Sequence, residues 1–164
     1  MSLSPLADLS PALHLHLWAA VFAIALGPVA LFRRRRDRWH KIAGYTWVSA
    51  MALLAGASLL LEAHVIPLAF GFGPLHGLSI LVLVTLWRGV AAARAGHVAL
   101  HRARMRALYA QALLGAGLFT LLPGRTLNAV LFSPRPEAGY VAIAVIATGI
   151  VASLVWQRRA RAAG

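Results

Sequence analysis

Apolar residues run through this chain in long blocks rather than in alternation, and the blocks are separated by short stretches rich in Arg, Pro and Gly. Strict alternation would indicate half-buried strands, whereas blocks of about 20 apolar residues suit helices that cross a bilayer. The first block, Leu13 to Phe32, follows an irregular lead-in, Met1 to Ala12, and has spanning length. Gly27-Pro28 within it predicts a bend or the close approach of a neighbour, because proline removes an internal hydrogen bond. A second helix is predicted from about Trp39 to Ala63, with Gly44 and Gly56 as small packing positions and Glu62, His64 and Pro67 at its exit. A third is predicted from about Gly73 to Ala92, after the entry AFGFGP, and a fourth from about Ala99 to Leu122, stopped by Pro123-Gly124. The loop NAVLFSPRPEAG then leads to a fifth helix, Tyr140 to Trp156, and the basic tail QRRARAAG. The expected fold is an all-α integral membrane protein, a single transmembrane domain over residues 1–164, with five transmembrane helices (about 13–32, 39–63, 73–92, 99–122 and 140–156).

Charge orients these segments. Arg33, Arg34, Arg35, Arg36, Arg38 and Lys41 follow the first block, Arg88, Arg94, Arg102, Arg104 and Arg106 surround the third turn, and Arg158, Arg159 and Arg161 close the chain. Fourteen of the sixteen Lys and Arg therefore fall on one side, leaving Arg125 and Arg135 on the other. The positive-inside rule then predicts the N-terminus outside and the C-terminus cytoplasmic, in a bacterial inner membrane. A signal peptide would carry its charge before the apolar block, whereas here RRRRDR follows it, so the first helix is expected to be retained.

Composition agrees with a lipid solvent: among 164 residues 60% are hydrophobic, and the only acids are Asp8, Asp37, Glu62 and Glu137. The net charge of +12 would suggest nucleic acid in a soluble protein, but the basic clusters are topology signals here, and no nucleic-acid partner is expected. With no cysteine, thiolate metal sites and cysteine nucleophiles are excluded, and any metal must rest on histidine.

Folding the chain at its turns gives each histidine a depth. His14 and His16 fall at the outer end of the first helix and His76 near the outer end of the third, while His40 and His101 open the second and fourth helices at the inner face. In an up-down four-helix bundle alternate helices are diagonal across the core. Two diagonal histidines at one level are what a planar haem between helices requires, one for each axial position of the iron. Against this stands the ordinary role of a histidine at a helix end, sitting in the interface or bonding a carbonyl, and the inner pair lies nearer water than the outer one. His14 and His16 are about 200° apart around a helix, and His16 is preferred because it lies deeper. His97 and His101 have i, i+4 spacing, which with His40 offers an alternative site for zinc or another first-row metal; Gly96 favours keeping His97 in the turn instead. Haem propionates need cationic partners: Arg125 outside, and Arg38, Lys41, Arg102 and Arg104 inside. No Ser/His/Asp, P-loop or dinucleotide-binding pattern is present.

The stretches HLHLWAAVFAIALGPVALF, RWHKIAGYTWV, FGPLHGLSI and GHVALHRARMRALYAQALLGAGLFTLLPGR resemble the bacterial predicted-membrane-protein family named domain of unknown function 2306, over roughly Leu13 to Leu131. The most specific parts are H-R-x-x-M from His101 to Met105 and L-P-G-R from Leu122 to Arg125. The resemblance implies functional positions at His16, His40, His76, His101 and Arg125; Lys41 stands where the family commonly has Arg, and His97 has no equivalent. The family name implies no activity. The order of the histidines is also similar to that of four-histidine di-haem cytochromes b, an architectural analogy.

These readings lead to a haem b-binding membrane cytochrome. Its outer haem would use His16 and His76 and its inner haem His40 and His101, with one haem as the lesser case. The sixteen residues from His16 to Phe32 cover roughly 24 Å of depth, so two haems would stack across the membrane. The expected partners are the lipid bilayer and a quinol or small-molecule reductant, with a homodimer allowed. The alternatives are a non-haem metal-dependent membrane enzyme using His40, His97 and His101, and a non-catalytic scaffold or transporter.

Overall fold

A computed structural model describes residues 9–33, 35–61 and 73–162, with the side chains of residue 150 and residues 153–162 outside the description. Among the described residues the chain is helical without strands: α1 (Pro11–Phe32), α2 (Arg38–Ser58), α3 (Pro74–Arg94), α4 (Val98–Ala107), a π-helical segment (Leu108–Gly115), α5 (Ala116–Phe119), α6 (Thr126–Phe132) and α7 (Ala138–Ala162). Residue contacts gather into two units, one spanning Leu9–Ala116 and one beginning at Gly117.

In the first unit, α1 packs chiefly on α2, α2 on α3 and α3 on α4, and α4 with the π segment returns to α1. α1 and α2 are antiparallel, since the His16 ring meets the Leu54 carbonyl while the Trp47 Nε1–H donates to the Ala23 carbonyl at 3.0 Å. Each helix starts for a local reason. The Ser10 hydroxyl accepts the Leu13 N–H at the head of α1, where Pro11 loses nothing by lacking an N–H, so the helix begins two residues before the expected Leu13. The Asp37 carboxylate accepts the His40 N–H at 3.0 Å and so caps α2. Gly96, at φ 80°, makes the left-handed turn from α3 into α4.

The inward stripe of α1 is made of small residues, Ala19, Ala23, Gly27 and Ala30, and their near i, i+4 spacing lets α2 and Tyr109 approach its backbone. A Cβ on Gly27 would lie 2.1 Å from the Tyr109 ring, and that ring's hydroxyl donates to the Ile24 carbonyl at 3.2 Å. Gly27 thus serves the close approach predicted for Gly27-Pro28, and α1 continues through Pro28. Among the described residues a Cβ on Gly44 or Gly56 would meet no atom within 4 Å, so neither shows there the packing role expected of it. The second close contact is at Gly89, where the Met105 methyl fills the space a side chain would take. Trp47, Met51, Leu86, Met105 and Leu108 form the centre of the core.

The fourth predicted helix is not continuous. Its π segment buries both Leu108 and Leu113, which lie five residues apart. In an α-helix that spacing puts two side chains about 140° apart, whereas i→i+5 bonding returns them to one face. The last helical turn ends at Phe119, before Pro123 and Gly124, the latter at φ 82°. The stretch read as loop includes α6: its buried Asn128 donates to the Leu121 carbonyl at 2.6 Å and the Pro136 carbonyl at 2.9 Å. Those two bonds tie the flanking turns to the helix, which periodicity over seven residues could not reveal. The exit residues expected of the second helix, Glu62, His64 and Pro67, lie outside the described residues.

Candidate functional site

Each of the four candidate histidines continues the inward stripe of its own helix. His16 precedes Ala19 and Ala23 of the α1 stripe by three and seven residues, and His40 precedes buried Trp47 by seven. His76 itself is buried at the head of the series Ser79, Val82, Leu86 and Gly89, and His101 lies one turn before buried Met105. Residues three, four and seven apart share a helix face, so all four imidazoles belong to the packed side of the first unit. His14 does not share that stripe, which supports the choice of His16.

Hydrogen bonds separate the four. His16 Nδ1 lies 3.1 Å from the Leu54 carbonyl, and His101 Nδ1 lies 2.9 Å from the Gly89 carbonyl. A carbonyl only accepts, so in each ring Nδ1 carries a proton, and in the neutral ring Nε2 then keeps its lone pair, the state in which a histidine binds a metal. Neither contact is legible in sequence, because every residue offers a carbonyl. His40 Nδ1 is buried and has no hydrogen-bond partner.

His76 is held differently. Its Nδ1 accepts the Gly73 N–H at 3.1 Å, a capping-box arrangement that closes the first turn of α3. A neutral ring accepting at Nδ1 carries its proton on Nε2, so in this orientation Nε2 has no lone pair for a metal. Ligation by His76 therefore requires that the ring give up its cap.

Arg104 donates to the Arg88 carbonyl at 2.9 Å across the α3–α4 turn, which leaves its other N–H groups for an anion; Lys41 is exposed. Arg125 lies in the second unit with its guanidinium 4.5 Å from the centre of the Phe119 ring, a cation–π contact that gives it a structural role. His97 is exposed at the head of α4, where Gly96 turns the chain. Among the described residues no three His, Asp or Glu side chains gather to hold a metal, so His40, His97 and His101 are not brought together as a trio.

The environment of this site is lipid-like. Among the described residues two helices, Pro11–Phe32 and Pro74–Arg94, are long and apolar enough to cross a membrane, and a shorter apolar helical stretch covers Ala138–Gly149. Their outward faces carry exposed Trp18, Phe22, Val29, Leu81 and Trp87, a surface that water would penalise and acyl chains would not. Trp87, 70% exposed, fits the interfacial belt, whereas Trp47 is core. These features define an α-helical membrane protein with a histidine on the inward stripe of each of its first four long helical stretches. The chain belongs to the family described as predicted membrane protein (DUF2306), whose model matches residues 13–156. Comparison with curated proteins and with solved structures gave no match.

Proposed function

We propose that this protein is a haem b-binding membrane cytochrome that carries electrons between a quinol or small reductant and an acceptor on the opposite face. On this reading five helices span a bacterial inner membrane, with the N-terminus outside and the C-terminus cytoplasmic. The first four form an up-down bundle. The packing of α1 on α2, α2 on α3, α3 on α4, and α4 with the π segment on α1 supports that order, because it leaves α1 opposite α3 and α2 opposite α4.

The observation that carries the reading lies at the heads of α2 and α4: His40 has a buried imidazole nitrogen without a partner, and the His101 ring is anchored through Nδ1 on a backbone carbonyl. A buried nitrogen without a partner costs about 1–3 kcal/mol, and a metal bond removes that cost. His40 and His101 would hold the inner haem, with Arg104 and Lys41 near its propionates. His16, anchored on Leu54, would hold the outer haem from one side, and His76 from the other once released from its cap. Sequence alone favoured the outer pair because it lies deeper; the hydrogen bonding favours the inner one. When bound, haem iron supplies one-electron chemistry, and the protein sets its potential through ligands, burial and propionate partners.

Absorption spectra of purified, haem-replete protein, oxidised and dithionite-reduced, test the proposal. Sharp haem b bands are expected, and a reduced spectrum lacking them refutes it. With haem counted per chain, His40→Ala and His101→Ala are each expected to abolish the inner centre. His76→Ala should remove a second haem if two are bound and change nothing spectral if the only haem is the inner one.

A further inference from the structure

The stripe of α1 formed by Ala19, Ala23, Gly27 and Ala30 is consumed by packing, and the adjacent face is left open. Between α1 and α2 that face forms an apolar groove of about 300 Å³, lined by Phe22, Leu26, Val29, Trp39 and Ile42, with Arg33 at one end. Its walls are open among the described residues: Phe22 is 49%, Val29 54%, Trp39 66% and Ile42 46% exposed. From Phe22 to Arg33 the α1 side of the groove rises roughly 16 Å at 1.5 Å per residue, about half of a 30 Å hydrocarbon core. The groove therefore has the length of one leaflet's acyl chain.

Its mouth is strongly basic. Asp37 is the only acid in the stretch from Arg33 to Lys41, and its carboxylate is already held by the Arg33 guanidinium, with Nε 2.9 Å away. Arg35, Arg36, Arg38 and Lys41 are exposed, and among the described residues no acid balances them. An apolar slot one leaflet deep ending in uncompensated cations matches one class of molecule. We propose that the α1–α2 groove binds an anionic phospholipid, its acyl chain along Phe22, Val29 and Ile42 and its phosphate among the arginines that precede and open α2.

Native mass spectrometry and thermal unfolding of the full chain in detergent test this with phosphatidylglycerol, phosphatidylcholine of the same acyl chains, and inorganic phosphate. Phosphatidylglycerol is expected to stay bound and raise the unfolding midpoint, whereas the other two do neither. Arg36→Gln with Arg38→Gln should weaken retention about tenfold or more, as expected for two cations near an anionic headgroup. Ile42→Trp should fill the slot and weaken retention with the midpoint in lipid-free detergent unchanged. Equal retention of the two lipids, displacement by inorganic phosphate, or retention unaffected by both variants would overturn the proposal. A dimer lost in Ile42→Trp without any lipid effect would assign the groove to a second copy of the chain, and competition by a quinone that ignores the arginines would assign it to quinone.

Discussion

At the scale of single residues, electrostatics concentrate at the α1–α2 turn. The Arg33 guanidinium and the His40 N–H hold the Asp37 carboxyl well below the usual carboxylate range. A carboxyl whose folded value is depressed contributes stability above its unfolded value, near pH 4, and that contribution is lost as the pH falls further. The unfolding midpoint of the wild-type protein should therefore drop between about pH 4 and pH 2 more steeply than that of Asp37→Asn, which cannot titrate there. Parallel curves for the two proteins would show that the Arg33–Asp37 pair contributes nothing to stability. Of the four candidate ligands, the residue types and their places on the helices were legible in sequence; their tautomers were not, because a tautomer depends on which carbonyl or N–H a neighbouring turn presents. His16 and His101 met carbonyls and His76 met an N–H.

At the scale of the helices, small residues decide spacing. Gly27, Gly89 and, in the second unit, Gly139 are where a neighbour enters the volume of an absent side chain, and among the described residues Gly44 and Gly56 are not. Gly27→Ala forces the rigid Tyr109 ring to move and should cost about 1–3 kcal/mol, the range for overpacking a core. In a comparison of unfolding in detergent, Gly44→Ala should be neutral or slightly stabilising, since alanine is the better helix former by about 1 kcal/mol. Equal destabilisation by the two substitutions would mean that the approach of the π segment to α1 is not set at Gly27. The signal for this distinction existed in the sequence as Ala19, Ala23 and Gly27, one small residue every four. Gly27 lies on that stripe and serves the close approach predicted for it, whereas the expectation for Gly44 and Gly56 rested on residue type alone, and a glycine packs only where its face meets a partner. The same reasoning explains the fourth predicted helix, whose apolar pattern reads as one continuous helix but whose burial of Leu108 and Leu113 together needs the wider π turn.

At the scale of the whole molecule, the reading rests on the distribution of arginine and on lipid as the solvent. The native chain has no cysteine, so single substitutions can report topology directly. With an impermeant maleimide on intact cells, Arg135→Cys should label from outside and Arg94→Cys only after the membrane is opened. The reverse pattern would invert the orientation and exchange the outer and inner faces assigned to the histidine pairs. By itself the sequence determined the helical class, the family, the apolar blocks and the four histidines, because each depends on residue type and spacing along one chain. Only the tertiary structure decided which glycines meet a neighbour, where the fourth helix widens, and which imidazole nitrogens are anchored, capped or left without a partner. Those depend on contacts between residues far apart in sequence, where the deciding group is often a backbone carbonyl or N–H that every residue carries alike.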